Sequence, residues 1–217
     1  MASTITNFAI ERAAMVERQL RCRGISEQPI LDAFLEVPRE AFISEDYAGI
    51  AYDDRPLPIG SGQTISQPYV VALMIQAAGV KRGDRVLEVG AGSGYAAAIL
   101  GRIAAEVIAI ERVGEFVPIA RERMQRLGYD NVRVVHGDGT LGAPEEAPFD
   151  AILAAASGSH VPDALIQQLA PGGRLVMPVG DPGWVQKLIK VTRGPMDRLI
   201  TEDLGAVRFV PLIGAEA

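Results

Sequence analysis

The second half of the chain is a series of short apolar runs separated by segments with helical periodicity. The runs are RVLEVG, EVIAIE, VRVVHG, FDAILAAA and RLVMPVG, and they begin at residues 85, 106, 132, 149 and 174. Strands that are apolar throughout, rather than at alternate positions, are typical of a parallel sheet covered by helices on both faces. The sequence therefore predicts a doubly wound, mostly parallel α/β sheet.

The segments on either side of this sheet have other patterns. Residues 9–23 and 28–35 have helical periodicity, Gly24 follows the first of them as a C-terminal glycine often does, and residues 40–65 show no regular pattern. A chain of 217 residues is long enough for one elaborated domain. We expect a single domain over residues 1–217, in which residues 1–80 form a helical and substrate-loop extension and residues 81–217 form the cofactor-binding core.

The end of the chain predicts a further pair of strands. VQKLIKVTR and LGAVRFVPLIG have no helical segment between them. A parallel crossover needs a dozen or more residues and usually a helix. We therefore expect these C-terminal strands to be antiparallel.

Charge and composition narrow the classes of function. The net charge of −6 makes a surface that neutralises a phosphate backbone improbable, so we expect no nucleic-acid partner. The first residues carry charges and lack the apolar core of a secretory signal, and no apolar run reaches the length of about 18 residues that spans a bilayer. The two histidines and the single cysteine show no metal-ligand spacing. We expect a cytoplasmic protein without a membrane segment or a metal.

A glycine-rich turn follows the first strand of the core. VLEVGAGSGY contains Gly90, Gly92 and Gly94, and glycines at a strand-to-helix turn let the backbone approach a ligand closely. Dinucleotide-binding folds have the spacing G-x-G-x-x-G, but here the third glycine comes one position early and Tyr95 stands in its place. This spacing favours a cofactor site in a Rossmann-like fold and disfavours an NAD-dependent oxidoreductase.

Acidic residues follow three of the predicted strands. Glu88 precedes the first glycine, and a carboxylate there suits a cationic amino group better than a pyrophosphate. Glu111 ends the next strand, where a carboxylate can accept hydrogen bonds from both ribose hydroxyls. Asp138, followed by Gly139 in HGDG, could receive an adenine amino group. The set predicts S-adenosylmethionine, which has an ammonium group and no phosphate.

The stretch GSGQTISQPY, residues 60–69, precedes an apolar helical segment. Ser66 is a suitable helix cap, Pro68 a suitable first helical residue, and Gly79 a suitable end. Capping does not explain Gln63, Thr64 and Gln67, so a binding role remains open for this stretch.

Several stretches resemble the bacterial form of the protein-L-isoaspartate O-methyltransferase family, in the same order and at similar spacing over about residues 10–214. They are VPREAF, AYDDRPLPIGSGQTISQPY, VLEVGAGSGY, HGDG, APFDAI, GGRLVMPVG and VRFVPLIG. The resemblance implies a methyltransferase fold, with Ser66 as the active-site residue beside the transferable methyl group and Gln63, Thr64, Ile65 and Ser66 at the cofactor.

This resemblance also implies the reaction. The family methylates the free α-carboxylate of L-isoaspartyl residues in damaged proteins and peptides. The ester then loses methanol to form a succinimide, which opens partly to normal aspartate. Isoaspartyl proteins and peptides would be the partners, and we expect the enzyme to be a monomer.

Two departures from the family pattern leave alternatives open. Ala91 and Ala96 stand where the family commonly has threonine and glutamine, and AAASGSHVP, residues 154–162, differs from the corresponding loop of relatives. If that loop touches the acceptor, the enzyme could instead methylate a small carboxylate or hydroxyl compound. A third alternative is a protein that binds the cofactor without catalysing transfer.

Overall fold

The computed structural model describes residues 7–181 and 183–216. Six α-helices and nine β-strands make up this part of the chain, together with a short π-helix over Val16–Leu20 and several 3-10 helices. The helices are α1 (Phe8–Met15), α2 (Gln28–Glu36), α3 (Pro68–Ala78), α4 (Tyr95–Ile103), α5 (Phe116–Leu127) and α6 (Asp163–Gln167). None of these helices is long and apolar enough to cross a membrane.

The strands form a seven-stranded sheet and a separate hairpin. The hairpin consists of β1 (Leu57–Gly60) and β2 (Gln63–Ile65). The sheet consists of β3 (Arg85–Val89), β4 (Glu106–Glu111), β5 (Val132–His136), β6 (Phe149–Ala154), β7 (Leu169–Val179), β8 (Gln186–Arg193) and β9 (Leu199–Val207). Its order is β5-β4-β3-β6-β7-β8-β9.

Five strands of the sheet, β3 to β7, are parallel, and β8 and β9 continue it as antiparallel neighbours. The chain builds outwards from β3 through β4 to β5 and then crosses back to β6 on the other side of β3. Ligands of open α/β sheets bind where the strand order reverses in this way, outside the carboxyl ends of the strands. The predicted fold class and the antiparallel C-terminal pair are confirmed.

Apolar side chains cover both faces of the sheet. Val86 and Val107 belong to one buried cluster, which includes residues of α1 to α5. Leu87 and Ile108 point to the opposite face, where α6 and the loops after β5 and β6 supply the second cluster. Burial on both faces explains why the strands are apolar at every position.

The N-terminal extension agrees with the sequence in its helices and differs in its loops. Residues 8–23 are helical throughout and end at Gly24, which has a left-handed conformation with φ of 93°. Residues 40–65, which we expected to be irregular, contain two 3-10 helices and the β1–β2 hairpin. The expectation was wrong because strands of three and four residues leave too short a pattern to recognise.

Near the C terminus, two boundaries differ from those predicted. The strand that the run beginning at residue 174 predicts starts earlier, since α6 ends at Gln167 and Leu169 already begins β7. The last strand begins at Leu199 and ends at Val207, so the apolar residues FVPLIG lie beyond it. That apolar stretch packs against the candidate site instead of extending the sheet.

Candidate active site

A cavity opens at the carboxyl ends of β3 and β4, at the reversal of strand order. It contains all of the predicted site residues except Gly94 and Asp138. The lining members of that set are Gln63, Thr64, Ile65, Ser66, Glu88, Gly90, Gly92, Glu111 and Gly139. The fold thus brings the TIS stretch and the glycine turn to one place, although they are more than 20 residues apart in the sequence.

The glycine turn is held by the neighbouring strand. The amides of Gly90 and Ala91 both donate to the carbonyl oxygen of Ile110, at 2.8 and 3.0 Å. Gly94 does not line the cavity; it begins α4 with a φ of 88°, and a Cβ there would lie 2.9 Å from the Met124 methyl group. The third glycine therefore serves the turn and its packing against α5, and not contact with a ligand.

Glu88 is a buried carboxyl whose environment leaves one oxygen unsatisfied. The side chain is 2% exposed, and its Oε2 atom has no hydrogen-bond partner among the described residues. Burial raises the pKa of Glu88 well above its usual value, and the nearby Glu111 carboxylate raises it further. A buried acceptor facing a cavity is costly unless a ligand satisfies it, and a cationic donor would do so best.

Glu111 also lines the cavity and accepts hydrogen bonds from two backbone amides. Its two oxygens accept hydrogen bonds from the amides of Gly92 and Val113, each at 2.7 Å. The carboxylate therefore fixes both the glycine turn and the start of the loop before α5. Each oxygen retains a lone pair, so the predicted binding of ribose hydroxyls is compatible with these two contacts.

Asp138 lies beside the cavity but does not line it. Its Oδ1 atom accepts from the amide and hydroxyl of Thr140, and its Oδ2 atom accepts from the amide of Ala215 at 2.8 Å. Burial by itself would raise the pKa of Asp138, but these hydrogen bonds and the charge of Arg112 together lower the pKa below its usual value. Gly139 reaches the cavity wall where Asp138 does not, so the predicted contact of Asp138 with an adenine amino group stays a prediction.

Ser66 follows β2 and stands half-buried in the cavity wall. Its hydroxyl makes no hydrogen bond to any of the described residues. The predicted capping role was wrong: α3 is capped at Gln67, and no serine side chain bonds its first turn. Pro68 and the left-handed Gly79 do begin and end the helix as expected. The hydroxyl of Ser66 is consequently available to a substrate.

The side chain that bonds the first turn of α3 is Asp54 and not the predicted Ser66. Its Oδ1 atom accepts from the amide of Tyr69 at 3.2 Å, and its Oδ2 atom accepts from Nε2 of Gln67 at 2.7 Å. Sequence inspection missed this residue because a cap usually lies immediately before its helix, whereas Asp54 precedes α3 by more than ten residues.

A second cleft meets the cavity at Ser66. Thr64, Ser66, Ala155 and Val210 line both of them. The rest of the cleft wall comes from Pro56 before β1, from the start of α3, from Val185 before β8, and from the residues at and after the end of β9. Those lining residues are Pro56, Gln67, Val70, Val185, Ala206, Val207, Arg208 and Phe209. One compartment can therefore hold a cofactor while the other admits an acceptor, with Ser66 at their junction.

The loop of residues 154–162 has a structural role in addition to its place at the site. Ser157 is buried; its amide donates to the carbonyl of Val210 at 2.8 Å, and its carbonyl accepts from the amide of Leu212 at 2.7 Å. These bonds hold the C-terminal segment against the cavity. Ala155, but neither Ser159 nor His160, lines the second cleft.

Metal chemistry has no support in the described ranges. No group of three or more histidine, cysteine, aspartate or glutamate side chains there could hold a metal ion. His136 is exposed and lies 3.1 Å from the Arg112 carbonyl oxygen, while His160 contacts Ser159. Neither histidine lines the cavity or the cleft.

Comparison with known proteins identifies the family. The family model described as protein-L-isoaspartate(D-aspartate) O-methyltransferase matches residues 11–217. The chain belongs to this family. A relative from Rhodopseudomonas palustris, protein-L-isoaspartate O-methyltransferase 1, is 54% identical over 97% of this chain and 86% of its own length. The protein-L-isoaspartate O-methyltransferase from Methylorubrum extorquens is 56% identical over 96% of this chain and 91% of its own length.

Solved structures of the family agree with the fold. A protein-L-isoaspartate O-methyltransferase superposes with a TM-score of 0.86 at 32% identity, covering 94% of this chain and 67% of that one. A putative enzyme of this family from Plasmodium falciparum, solved in complex with S-adenosyl-L-homocysteine, gives a TM-score of 0.80 at 31% identity over 93% and 98%. The resemblance noted in the sequence is therefore confirmed.

Proposed function

We propose that this protein transfers a methyl group from S-adenosylmethionine to the free α-carboxylate of L-isoaspartyl residues in damaged proteins and peptides. Family membership over nearly the whole chain supports the activity. The structural observation that carries it is Ser66, whose hydroxyl has no described partner and which stands where the cavity and the cleft meet.

The cavity fits the proposed cofactor. Glu88 offers a buried, unsatisfied carboxyl oxygen to the ammonium group. Glu111 is placed for the ribose hydroxyls, and the backbone of Gly90 and Gly92 allows close approach. Methyl transfer converts this cofactor to S-adenosyl-L-homocysteine, which is bound in the structure of the relative from Plasmodium falciparum. We assign the cofactor to Gln63, Thr64, Ile65, Ser66, Glu88, Gly90, Gly92, Glu111 and Gly139, with Gly94 supporting the turn.

The proposed reaction needs no general base from the protein, only alignment of the reactants and exclusion of water. S-adenosylmethionine supplies an electrophilic methyl group on a sulfonium. The acceptor α-carboxylate has an ordinary pKa near 3.5, so it is ionised at neutral pH and needs no general base. The protein has to align the carboxylate with the methyl group and exclude water from the two charges. Ser66 can do the first by donating a hydrogen bond to one carboxylate oxygen, which leaves the other oxygen to accept the methyl group.

Methylation of a small carboxylate or hydroxyl compound has less support. Relatives that are 49–56% identical to this chain all bear the isoaspartate name. The altered loop of residues 154–162 motivated this alternative, yet its buried Ser157 holds the C-terminal segment and only Ala155 lines the second cleft. A monomeric state, a cytoplasmic location, the single-domain organisation and the absence of nucleic-acid binding stay predictions from the sequence.

The test of this proposal compares acceptors. Purified protein is incubated with labelled S-adenosylmethionine and either an isoaspartyl peptide or a panel of small carboxylates and hydroxyl compounds. We expect base-labile label on the peptide alone. Label on a small compound in preference to the peptide would contradict the proposal and favour the alternative.

Arg208 should attract the anionic acceptor to the second cleft. It is exposed, lines the cleft, and forms no ion pair with the described residues. Because the net charge of −6 repels an anionic peptide, we expect Arg208→Ala to raise KM for an isoaspartyl peptide about three- to tenfold at low salt, with kcat little changed. Steady-state kinetics at two ionic strengths measures the effect.

The matched control for this prediction is Arg198→Ala. Arg198 is also exposed, but it precedes β9 whereas Arg208 follows it, so it lies at the far end of that strand. KM should stay unchanged in the control. The difference between Arg208→Ala and the wild type should shrink as salt is added. A salt-independent loss of kcat in Arg208→Ala would show that the electrostatic explanation is wrong.

Cofactor binding should release a proton. The raised pKa of Glu88 keeps the carboxyl protonated in the free protein at pH values above 4.5, where an ordinary glutamate is ionised. An ammonium ligand favours the ionised form, so affinity should increase as pH rises towards the pKa of the buried carboxyl. Calorimetric titration with S-adenosylhomocysteine in buffers of different ionisation enthalpy measures the proton. Heats independent of the buffer would contradict this role for Glu88.

A further inference from the structure

The amide of Gln67 has a fixed orientation in the wall of the second cleft. Its Nε2 atom donates to Oδ2 of Asp54 at 2.7 Å. Because a carboxylate can only accept hydrogen bonds, the amide nitrogen must be the atom that faces Asp54. The Oε1 atom is the one left for a ligand, and it accepts no hydrogen bond from any of the described residues. Gln67 thus presents an acceptor next to Ser66.

Asp54 is itself held at several points. It accepts from the amide of Tyr69 and pairs with Arg23, whose guanidinium carbon lies 3.4 Å from the centre of the Tyr69 ring. Three residues before Asp54, the carbonyl oxygen of Ala51 accepts a hydrogen bond from Nε of the fully buried Arg39 at 2.8 Å. These contacts fix the side chain of Gln67 before a ligand binds. Little side-chain entropy is therefore lost on binding.

The chemistry of an isoaspartyl residue matches an acceptor at this position. In isoaspartate the chain continues through the side-chain carbonyl, so one Cα carries both the residue's own amide nitrogen and the free carboxylate. In normal aspartate a methylene separates that Cα from the carboxylate. The N–H and the free carboxylate are therefore closer together in isoaspartate than in normal aspartate. A site that has a hydrogen-bond acceptor for the N–H beside a donor for the carboxylate can distinguish the two residues by this distance.

We propose that Gln67 is a specificity-determining residue, whose Oε1 atom accepts a hydrogen bond from the amide N–H of the isoaspartyl residue while Ser66 holds the carboxylate. The two residues are adjacent in the chain and both line the cleft. Asp54 acts through Gln67 as a positioning residue. This inference rests on the proposed function, because it assumes that isoaspartyl peptides occupy the cleft.

A double-mutant cycle tests the contact. One partner of the cycle is the substrate, an isoaspartyl peptide or its analogue in which an ester oxygen replaces the isoaspartyl N–H. The other partner is the wild-type protein or Gln67→Leu. We expect the ester to lower kcat/KM of the wild type about fivefold to tenfold, which is typical of one lost hydrogen bond. Gln67→Leu should show a similar loss with the amide peptide and no further loss with the ester.

Two controls complete the design. Gln125→Leu changes an exposed glutamine on α5, outside the cavity and the cleft, and should respond to the ester as the wild type does. The dissociation constant of S-adenosylhomocysteine should be the same for Gln67→Leu and the wild type. If Gln67→Leu does not fold, Gln67→Ala replaces it in the cycle.

The possible outcomes distinguish a wrong role for Gln67 from a wrong proposed function. Additive losses for the ester and for Gln67→Leu, in a wild-type protein that methylates the isoaspartyl peptide, would overturn the role of Gln67 alone. A wild-type protein that methylates neither peptide would overturn the proposed function. Losses that do not add would support both.

Discussion

We expect Ser66→Ala to lower kcat for an isoaspartyl peptide about 10- to 100-fold while leaving cofactor affinity within about twofold of the wild-type value. The lost hydrogen bond would have joined a hydroxyl to a charged carboxylate, and such bonds contribute about 1.5–3 kcal/mol. Misalignment of the carboxylate adds to the loss, because transfer depends on near-linear approach. Single-turnover kinetics gives the rate, and titration with S-adenosylhomocysteine gives the affinity.

The control for Ser66→Ala is Ser26→Ala. Ser26 is exposed between the first helical segment and α2, and its side chain lines neither the cavity nor the cleft. This control should retain full activity. Ser66 lines the cofactor cavity, so the test concerns its hydroxyl. If Ser66→Ala lost cofactor affinity as strongly as turnover, the hydroxyl would act in cofactor binding and not in orienting the acceptor.

Glu88→Gln should weaken cofactor binding about 10- to 100-fold and yet leave the free protein at least as stable as the wild type at neutral pH. The weaker binding follows from losing a charge-assisted hydrogen bond to the ammonium group. The unchanged or higher stability follows because burial disfavours the ionised form of the Glu88 carboxyl, whereas the amide of glutamine has no charge to bury. Opposite effects on binding and stability are unusual for a core substitution, so the pair of measurements is diagnostic.

The pH dependence of stability sharpens the prediction for Glu88→Gln. Since burial raises the pKa of Glu88 in the folded protein above 4.5, its usual value, the folded state retains a proton that the unfolded chain releases. The stability associated with that proton is present below pH 4.5 and is lost as pH rises towards the folded pKa. Glu88→Gln removes this loss. Thermal unfolding should be measured at pH values from 4.5 upwards. The unfolding temperature should decline less with rising pH for Glu88→Gln than for the wild type.

The control for Glu88→Gln is Glu122→Gln, which changes an exposed glutamate on α5. Both cofactor affinity and the pH dependence of unfolding should match the wild type. A large loss of stability in Glu88→Gln would instead indicate that the carboxyl has a structural partner, and would contradict its assignment to the ligand.

The central sheet was predictable from the sequence because burial on both faces makes its strands apolar at every position. Val86, Leu87, Val107 and Ile108 alternate between two buried faces, so every position of their strands is apolar. Local signals also located Gly24 and Gly79, whose left-handed conformations end helices. These features depend on residues near one another in the chain.

The misplaced last strand shows where such signals fail. β9 is exposed along most of its length, with Leu199 and Ile200 at 45% and 47% exposure, so burial gives it little pattern. The apolar residues after it, Val210 and Leu212 among them, pack on the cavity through hydrogen bonds to Ser157. An apolar run predicts burial, but whether that burial is in a sheet or on a site depends on distant residues.

Candidate-site residues divide in the same way. Glu88 and Glu111 were predictable because each stands at the carboxyl end of a strand whose place in the sheet was clear. Asp54 was not, because its partners Gln67 and Tyr69 lie 13 and 15 residues away and meet it only through the folded hairpin. Asp138 had the expected place in sequence, but Thr140 and Ala215 engage its carboxylate in the structure.

The most direct test of the central claim is methyl transfer from labelled S-adenosylmethionine to a matched pair of peptides, identical except that one contains L-isoaspartate and the other normal aspartate. Our account predicts label on the isoaspartyl peptide alone, as a methyl ester that releases methanol in base. Labelling of both peptides to the same extent, or of neither while S-adenosylhomocysteine still binds, would contradict it.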